Sequence, residues 1–173
     1  MSEFARVERL DTIGGEERQV AIAADESERL ALARRFRLMA VERLEATFAI
    51  RREAGGVAAR GRVAADVVQA CAVTGDPVSA TVDEEVDLRF VEPAGRGGDE
   101  EVELSGDALD TIEIEGGGID LGEAAAETMA LALDPFPRSP QAADALKQAG
   151  VLSEEEAGAF GALAELKAKL EKK

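Results

Sequence analysis

The 173-residue sequence has no histidine, no tryptophan, no tyrosine and a single cysteine. Without histidine, the chain lacks the commonest general base, the commonest metal ligand and the Ser-His and Cys-His pairs of nucleophilic catalysis. The lone cysteine, Cys71, can form neither an intrachain disulfide nor, without other Cys or His ligands, a tetrahedral zinc site. We therefore expect a protein that is not an enzyme and carries no cofactor.

Aromatic residues are also scarce, because the only ones are six phenylalanines. The apolar 46% of the chain must build a core mainly from Val, Leu, Ile and Ala. Proteins that bind single-stranded nucleic acid stack the bases on aromatic side chains. Any contact with RNA is accordingly expected to be weak or indirect, and no small-molecule substrate is evident.

Long apolar runs are missing as well. No run approaches the ~18 consecutive apolar residues of a membrane span. The N-terminal stretch MSEFARVERLD is charged and lacks the apolar region of a signal peptide. We expect a cytoplasmic protein that does not engage a membrane.

The net charge of −16 is unevenly distributed. Residues 1–62 hold 12 arginines and 11 acidic residues, whereas residues 63–173 hold 8 basic and 25 acidic residues. An acidic surface that keeps the protein in solution is one interpretation. The other is a docking surface for a basic partner, such as a ribosomal protein or a ribosome-assembly factor.

Three long runs alternate apolar with polar residues, a pattern typical of half-buried β-strands. Turns follow the first run at Ala54-Gly55-Gly56 and the second at Thr74-Gly75-Asp76-Pro77. These runs predict an antiparallel β-meander that can curl towards a barrel. The inward residues are expected to be Leu44, Ala46, Phe48 and Ile50, then Val57, Ala59, Gly61, Val63, Ala65 and Val67, then Val78, Ala80, Val82, Val86, Leu88 and Phe90.

A helix is predicted over residues 25–37, where Asp25 and Glu28 have the spacing of a capping box. Leu30, Ala33 and Phe36 lie at helical spacing and are expected to form its buried stripe. Short strands are predicted over residues 4–10, 19–24 and 111–115.

The C-terminal part, residues 120–171, is predicted to be helical. Asp120 and Glu123 open it with a second capping-box pattern, Pro135 ends its first helix, and Ser139 is expected to cap a short second one. Residues 92–110 are polar, acidic and rich in glycine, which predicts a mobile loop with a short strand at 101–104. Together these elements predict a single α+β domain over residues 1–173.

Cys71 lies within the sequence QACAVTGDP, residues 69–77, on the inward register of its strand. We expect a small buried residue rather than a reactive thiol, because Asp66 and Asp76 nearby would raise its pKa. Gln69 and Thr74 are candidates for shaping the turn or for meeting a partner.

The acidic runs Asp83-Glu84-Glu85 and Asp99-Glu100-Glu101 do not have the spacing of a calcium loop. Neighbouring acids on a strand point to opposite faces, so a solvated surface is expected rather than a metal site. Glu84 falls on the inward register of its strand, which the sequence does not explain.

Two further groups are candidate interaction sites. Arg43, Arg51, Arg60 and Arg62 are expected on the same outer face of two adjacent strands, where they either contact an RNA backbone or pair with Glu42, Glu45 and Glu53. In the sequence DPFPR, Asp134, Phe136 and Arg138 form either a packed connection, with Phe136 filling the core, or a rigid docking point.

Two blocks of sequence resemble the YceD-like family. The first, residues 63–91, contains Q-x-C-x-x-T-G-x-P and an acidic strand ending in Arg-Phe, and the second is IDLGEAAAETMALALDPFPRSP, residues 119–140. The resemblance implies a role in accumulation of large-subunit ribosomal RNA, without a mechanism or an active site. Many members of that family carry a second cysteine where this chain has Thr74, so the resemblance implies no metal or redox role through such a pair in this chain.

The leading hypothesis is a non-enzymatic ribosome-biogenesis factor whose acidic surface holds a basic ribosomal protein or assembly factor. A carboxylate-dependent enzyme of RNA processing is one alternative. A structural adaptor unrelated to ribosomes is the other.

Overall fold

The computed structural model describes residues 2–92, 111–114 and 116–151. Residues 93–110 of the loop expected over 92–110, with its short strand at 101–104, and the part of the expected helical region after residue 151 lie outside these residues. In chain order the elements are β1 (Val7–Arg9), a 3-10 turn (Leu10–Thr12), β2 (Arg18–Ala23), α1 (Glu26–Arg35), β3 (Ala40–Glu53), β4 (Gly56–Ala70), β5 (Pro77–Val91), β6 (Thr111–Glu113), β7 (Gly118–Asp120), α2 (Leu121–Ala132) and α3 (Ala142–Gln148). The predicted α+β class, with one helix near the N-terminus and helices after the sheet, is confirmed.

The main sheet has the strand order β2-β3-β4-β5-β6. Strand β3 pairs antiparallel with both β2 and β4, in the order that a meander requires. Among the described strands, β2 and β6 are the two edges, so the sheet is open and does not close into a barrel. The inward residues predicted for β3 are all buried, and so are those predicted for β4 except Gly61, which is partly buried. Val82, Leu88 and Phe90 are the fully buried members in β5.

Two features of the sheets were not predicted. Strand β6 pairs parallel with β5, and β7 pairs antiparallel with β1 in a separate two-stranded sheet. Each of these added strands has only three residues, which is too few to show a period of two. Their pairing therefore depends on tertiary contacts rather than on a local pattern.

Helix α1 begins as predicted. The Asp25 carboxylate accepts the Glu28 N–H at 2.9 Å, and the Glu28 carboxylate accepts the Asp25 N–H at 2.8 Å. The predicted stripe is partly wrong, because Leu30 is 56% exposed and Leu32 is fully buried beside Ala33. By sequence spacing, either leucine can share a helical stripe with Phe36. The packing of α1 against β3 buries Leu32 and leaves Leu30 exposed.

Helix α2 is held by the N-terminal segment. The Asp120 carboxylate accepts the N–H groups of Gly122 and Glu123, which confirms half of the predicted capping box, and it also accepts the Arg6 N–H at 2.8 Å. The Glu123 carboxylate pairs instead with Arg35 of α1 and accepts the Ser2 hydroxyl. In a full capping box the Glu123 side chain would accept the N–H of Asp120. Here it contacts Arg35 and Ser2 instead, which are distant in sequence.

Contacts within the chain define two compact units. The first comprises Met1–Gln69 and Ser79–Pro135, and it contains the large core, which includes Phe4, Leu32, Phe48, Ile50, Leu121 and Met129. The second comprises Ala70–Val78 and the chain from Phe136 onward; its described part holds the turn after β4 and helix α3. Among the described residues, no helix is long and apolar enough to cross a membrane.

Glycine at position 61 allows β3 and β4 to approach closely. A Cβ atom added there would lie 1.9 Å from the Thr47 carbonyl oxygen, which is backbone and cannot rotate away. We expect Gly61→Ala to lower the free energy of unfolding by about 1–3 kcal/mol, as overpacking does. Urea unfolding measures the change.

Gly15→Ala is the matched control, because no atom lies within 4 Å of a Cβ added at Gly15. Its effect should stay within about 0.5 kcal/mol. Equal free energies of unfolding for the two variants would contradict the close approach of the Thr47 backbone to Gly61.

Candidate functional site

Cys71 follows the last residue of β4 and opens a turn closed by its own backbone. The Cys71 N–H donates to the Asp76 carbonyl at 2.7 Å, and the Gly75 N–H donates to the Cys71 carbonyl at 2.9 Å. Gly75 has a φ of +77°, which glycine adopts without steric cost. The Thr74 hydroxyl donates to the Asp76 carboxylate at 2.6 Å. Thr74 therefore shapes the turn that the sequence predicts.

The segment 137–139 is joined to this turn within the second compact unit. The Ala72 N–H donates to the Pro137 carbonyl at 2.8 Å, and the Ser139 and Thr74 hydroxyls lie 3.3 Å apart. Ser139 was expected to cap a helix, and that prediction is wrong. Helix α3 starts only at Ala142, and its preceding residue, Gln141, makes no side-chain cap. The Ser139 hydroxyl is buried against the turn instead.

The Cys71 sulfur is surrounded by hydrogen-bond donors. It accepts the N–H groups of Ser139 at 3.2 Å, Thr74 at 3.4 Å and Val73 at 3.5 Å. The Ser139 hydroxyl, the Ser139 N–H and the Thr74 hydroxyl lower the pKa of the Cys71 thiol to about 6, and burial opposes them. Hydrogen bonds to the charged form favour that form. The sulfur can therefore be held as a thiolate at neutral pH.

The expectation that acidic neighbours raise the pKa of Cys71 is wrong. The Asp66 carboxylate pairs with Arg43 at 2.8 Å and accepts the Thr81 hydroxyl at 3.0 Å. The Asp76 carboxylate accepts the Thr74 hydroxyl. Both acids are thus engaged by other donors, and the contacts to the sulfur come from neutral donors at hydrogen-bond distance.

The chemistry open to this cluster is limited by access. Cys71 is only 4% exposed, so a large reactant cannot reach the sulfur without local opening. In the described part of the chain, no group of three or more potential ligands could hold a metal ion. The arrangement is that of a buried sulfur that accepts hydrogen bonds from its own turn and from Ser139.

Gln69 lies on the inward face of β4, two residues before Cys71, and is 9% exposed. Its side-chain amide donates to the Asp134 carbonyl at 2.9 Å. This bond ties the chain that leaves α2 to β4 within the first compact unit. Gln69 thus satisfies its buried amide with backbone from a residue far away in sequence.

The DPFPR segment does not fill the core with its aromatic ring. Phe136 is 71% exposed, whereas Pro137 beside it is buried. Asp134 and Arg138 are exposed on either side. The exposed ring shows that Phe136 does not fill the core. The other interpretation, a rigid docking point, stays a prediction.

The four arginines lie on the same outer face of β3 and β4, and each is ion-paired. Arg43 pairs with Glu45 and Asp66, Arg51 with Glu53, Arg60 with Asp87 and Arg62 with Asp83. From Arg60 to Arg62 the residue number rises along β4, while that of the partner falls from Asp87 to Asp83 along β5. Adjacent antiparallel strands have this order.

Asp66 raises the pKa of Arg43, and Asp83 raises that of Arg62. The same contacts lower the pKa values of Asp66 and Asp83, because an opposite charge favours the ionised form. Glu45 and Glu53 were expected partners, whereas Asp66, Asp83 and Asp87 were not. The register of β3 and β4 places Asp66 opposite Arg43, and Asp83 and Asp87 reach Arg62 and Arg60 from the neighbouring strand β5.

A model of the family described as large ribosomal RNA subunit accumulation protein YceD matches residues 59–167. The chain belongs to the YceD family. This match contains both blocks of sequence on which the resemblance was based, and the family takes its description from accumulation of the large ribosomal RNA subunit rather than from a reaction. Searches of curated proteins and of solved structures gave no match.

The two blocks of the YceD chain meet in space. Gln69 of the first block bonds to Asp134 of the second, and Cys71 accepts the N–H of Ser139. Ser139 was missed as a site residue, although its place at the end of the second block was a signal that could have identified it. The two blocks are therefore in contact within each compact unit, through Gln69 and Asp134 in the first and through Cys71 and Ser139 in the second.

The Cys71 thiol is expected to titrate near pH 6 in the folded protein. Thiolate absorbs in the ultraviolet, and the chain has no tyrosine whose phenolate would add to the signal. An absorbance titration should show a step near this pH that Cys71→Ser removes. Ser139→Ala should move the step to higher pH, since the largest stabilising contact is gone. A step at the ordinary thiol pKa in the unaltered protein would contradict the geometry.

Stability should change with pH for the same reason. The folded pKa of Cys71 lies below the unfolded value of about 8.5. Its contribution is therefore complete above the unfolded pKa and is lost as the pH falls through about 6. The chain has no histidine to titrate in this window. Urea unfolding at a series of pH values should show the slope, and Cys71→Ser should flatten it.

Proposed function

We propose that the chain is a non-enzymatic factor that supports accumulation of the large ribosomal RNA subunit by binding a basic ribosomal protein or assembly factor. The observation that carries this proposal is the excess of 25 acidic over 8 basic residues in residues 63–173. Complementary charge increases the association rate and selects partners of opposite sign. A protein with this charge attracts basic proteins and repels phosphate.

The ion pairs on the sheet support a protein partner over RNA. Arg43, Arg51, Arg60 and Arg62 are held by the chain's own carboxylates, so much of their charge is already balanced. Binding to a phosphate backbone gains most of its affinity from cations that release counterions. In this proposal, RNA is contacted weakly or through the partner, and any direct contact uses this arginine face.

The hydrogen bonds around the buried Cys71 sulfur support a role without catalysis. A nucleophilic cysteine must be reached by its substrate, and Cys71 is buried with donors on its sulfur. Thr74 shapes the turn after β4, and Gln69 holds the Asp134 carbonyl within the first compact unit. The exposed Phe136, between Asp134 and Arg138, is a second point at which a partner can be held.

A pull-down across a salt series tests the proposal. The immobilised chain should retain identified basic proteins of the large subunit after ribonuclease treatment, and retention should fall as salt rises, because screening weakens exposed charges. Crosslinking identifies the residues that are touched. Retention of naked ribosomal RNA without a protein would contradict the proposal.

Arg60→Gln/Arg62→Gln provides the control for RNA. Protein retention should be unchanged, and in a parallel experiment without ribonuclease any RNA that the purified chain binds directly should decrease. Depletion of the protein in cells should also lower the level of large-subunit ribosomal RNA. Normal levels after depletion would favour an adaptor unrelated to ribosomes.

A further inference from the structure

A groove lies between β5, β6 and α2 in the first compact unit, with a volume of about 480 Å³. A second cavity of about 450 Å³ lies against β1, β7 and the start of α2, and both are lined by Ile112, Ala124 and Glu127. We call this continuous surface the acidic groove. Glu84 and Leu131 mark its first part, and Val7 marks its second.

The charged residues that line the acidic groove are all acidic in the described part of the chain. Asp87 and Glu123 are paired with Arg60 and Arg35, and Asp120 caps α2. Glu84, Glu85, Glu113 and Glu127 make no ion pair with a described residue. Carboxylates without an ion pair in one concave surface repel each other and attract cations.

The groove also carries apolar surface. Leu88 and Ala124 are almost fully buried beneath it. Leu131 is 86% exposed and Val7 61% exposed, and both are among the most exposed large apolar residues of the described chain. Exposed apolar side chains rimmed by charges are a common feature of protein-binding surfaces. A small cation alone would leave this apolar area open to water.

We propose that the acidic groove binds a basic amphipathic segment of a partner protein, with lysine or arginine against Glu84 and Glu127 and aliphatic side chains against Leu131 and Val7. Lysine and arginine suit such a surface, because their methylene stems cover apolar area while their charged ends reach the carboxylates. This inference rests on the proposed function and gives it a location. It also explains Glu84, which keeps the inward register of its strand but faces the open groove rather than the core.

Other occupants fit less well. An RNA strand would bring phosphates against the carboxylates. A second copy of the chain would bring together two molecules of net charge −16. Both are kept as outcomes of the test.

Fluorescence anisotropy with a defined probe tests the groove. The probe is a labelled peptide that alternates arginine with leucine, and the comparison peptide has the same number of arginines with glycine in place of leucine. Glu84→Arg/Glu127→Arg should weaken binding of the arginine–leucine peptide by about tenfold or more. Leu131→Ser should weaken it too, and should leave the arginine–glycine peptide nearly unaffected.

Glu16→Arg/Glu17→Arg is the matched control, because it makes the same change of net charge at exposed residues outside the groove. Its effect should stay within about twofold, since distant exposed charges are screened. Thermal unfolding checks that each variant is folded, and Glu84→Gln/Glu127→Gln replaces the arginine variant if that one does not fold. An equal loss in the groove and control variants would overturn the inference. Self-association of the unaltered chain would also overturn the inference if Glu84→Arg/Glu127→Arg abolishes it. Binding of a ribosomal RNA fragment that this variant abolishes would overturn it too.

The pull-down separates failure of the inference from failure of the proposed function. If the unaltered chain and Glu84→Arg/Glu127→Arg retain the same identified ribosomal proteins equally, the function stands and the groove is wrong. If the unaltered chain retains none of them, the proposed function fails whatever the peptide does. Both the proposed function and the groove are supported if Glu16→Arg/Glu17→Arg retains the ribosomal proteins and Glu84→Arg/Glu127→Arg loses them.

Discussion

Burial of one aliphatic face along three long paired strands is the constraint on which the rest of the structure depends. Strands β3, β4 and β5 have 14, 15 and 15 residues, and their inward positions are mostly small or aliphatic. Such residues bury little area singly, so they need close packing along the whole length. Glycine at position 61 and the contacts of α1 and α2 with β3 meet that need.

The same alternation arranges the outer face. Charged side chains on β3, β4 and β5 alternate with the buried ones, and the strand register places an arginine opposite an aspartate at Arg43–Asp66. Exposed ion pairs of this kind each contribute only about 0–1 kcal/mol to stability. Their larger consequence is for binding, because they balance the arginines within the sheet. In the acidic groove, by contrast, Glu84, Glu85, Glu113 and Glu127 make no ion pair with a described residue.

Cys71 shows how a conspicuous residue can have a structural role. Its sulfur accepts backbone N–H groups from its own turn and from Ser139. The Thr74 hydroxyl bonds to Asp76 and lies beside the Ser139 hydroxyl. Within the second compact unit, the turn after β4 and the segment that contains Ser139 are thus held together by hydrogen bonds to one sulfur.

The sequence by itself determined what depends on neighbouring residues: the three alternating strands, the turn at Gly75 and the Asp25–Glu28 cap. Each is a local pattern with a local physical cause. Tertiary structure alone decided the parallel pairing of β6, the burial of Leu32 rather than Leu30, the role of Ser139, the lowered pKa of Cys71 and the acidic groove. Most of these need residues distant in sequence to meet, and burial and hydrogen bonding at such contacts depend on how the elements pack rather than on any local period.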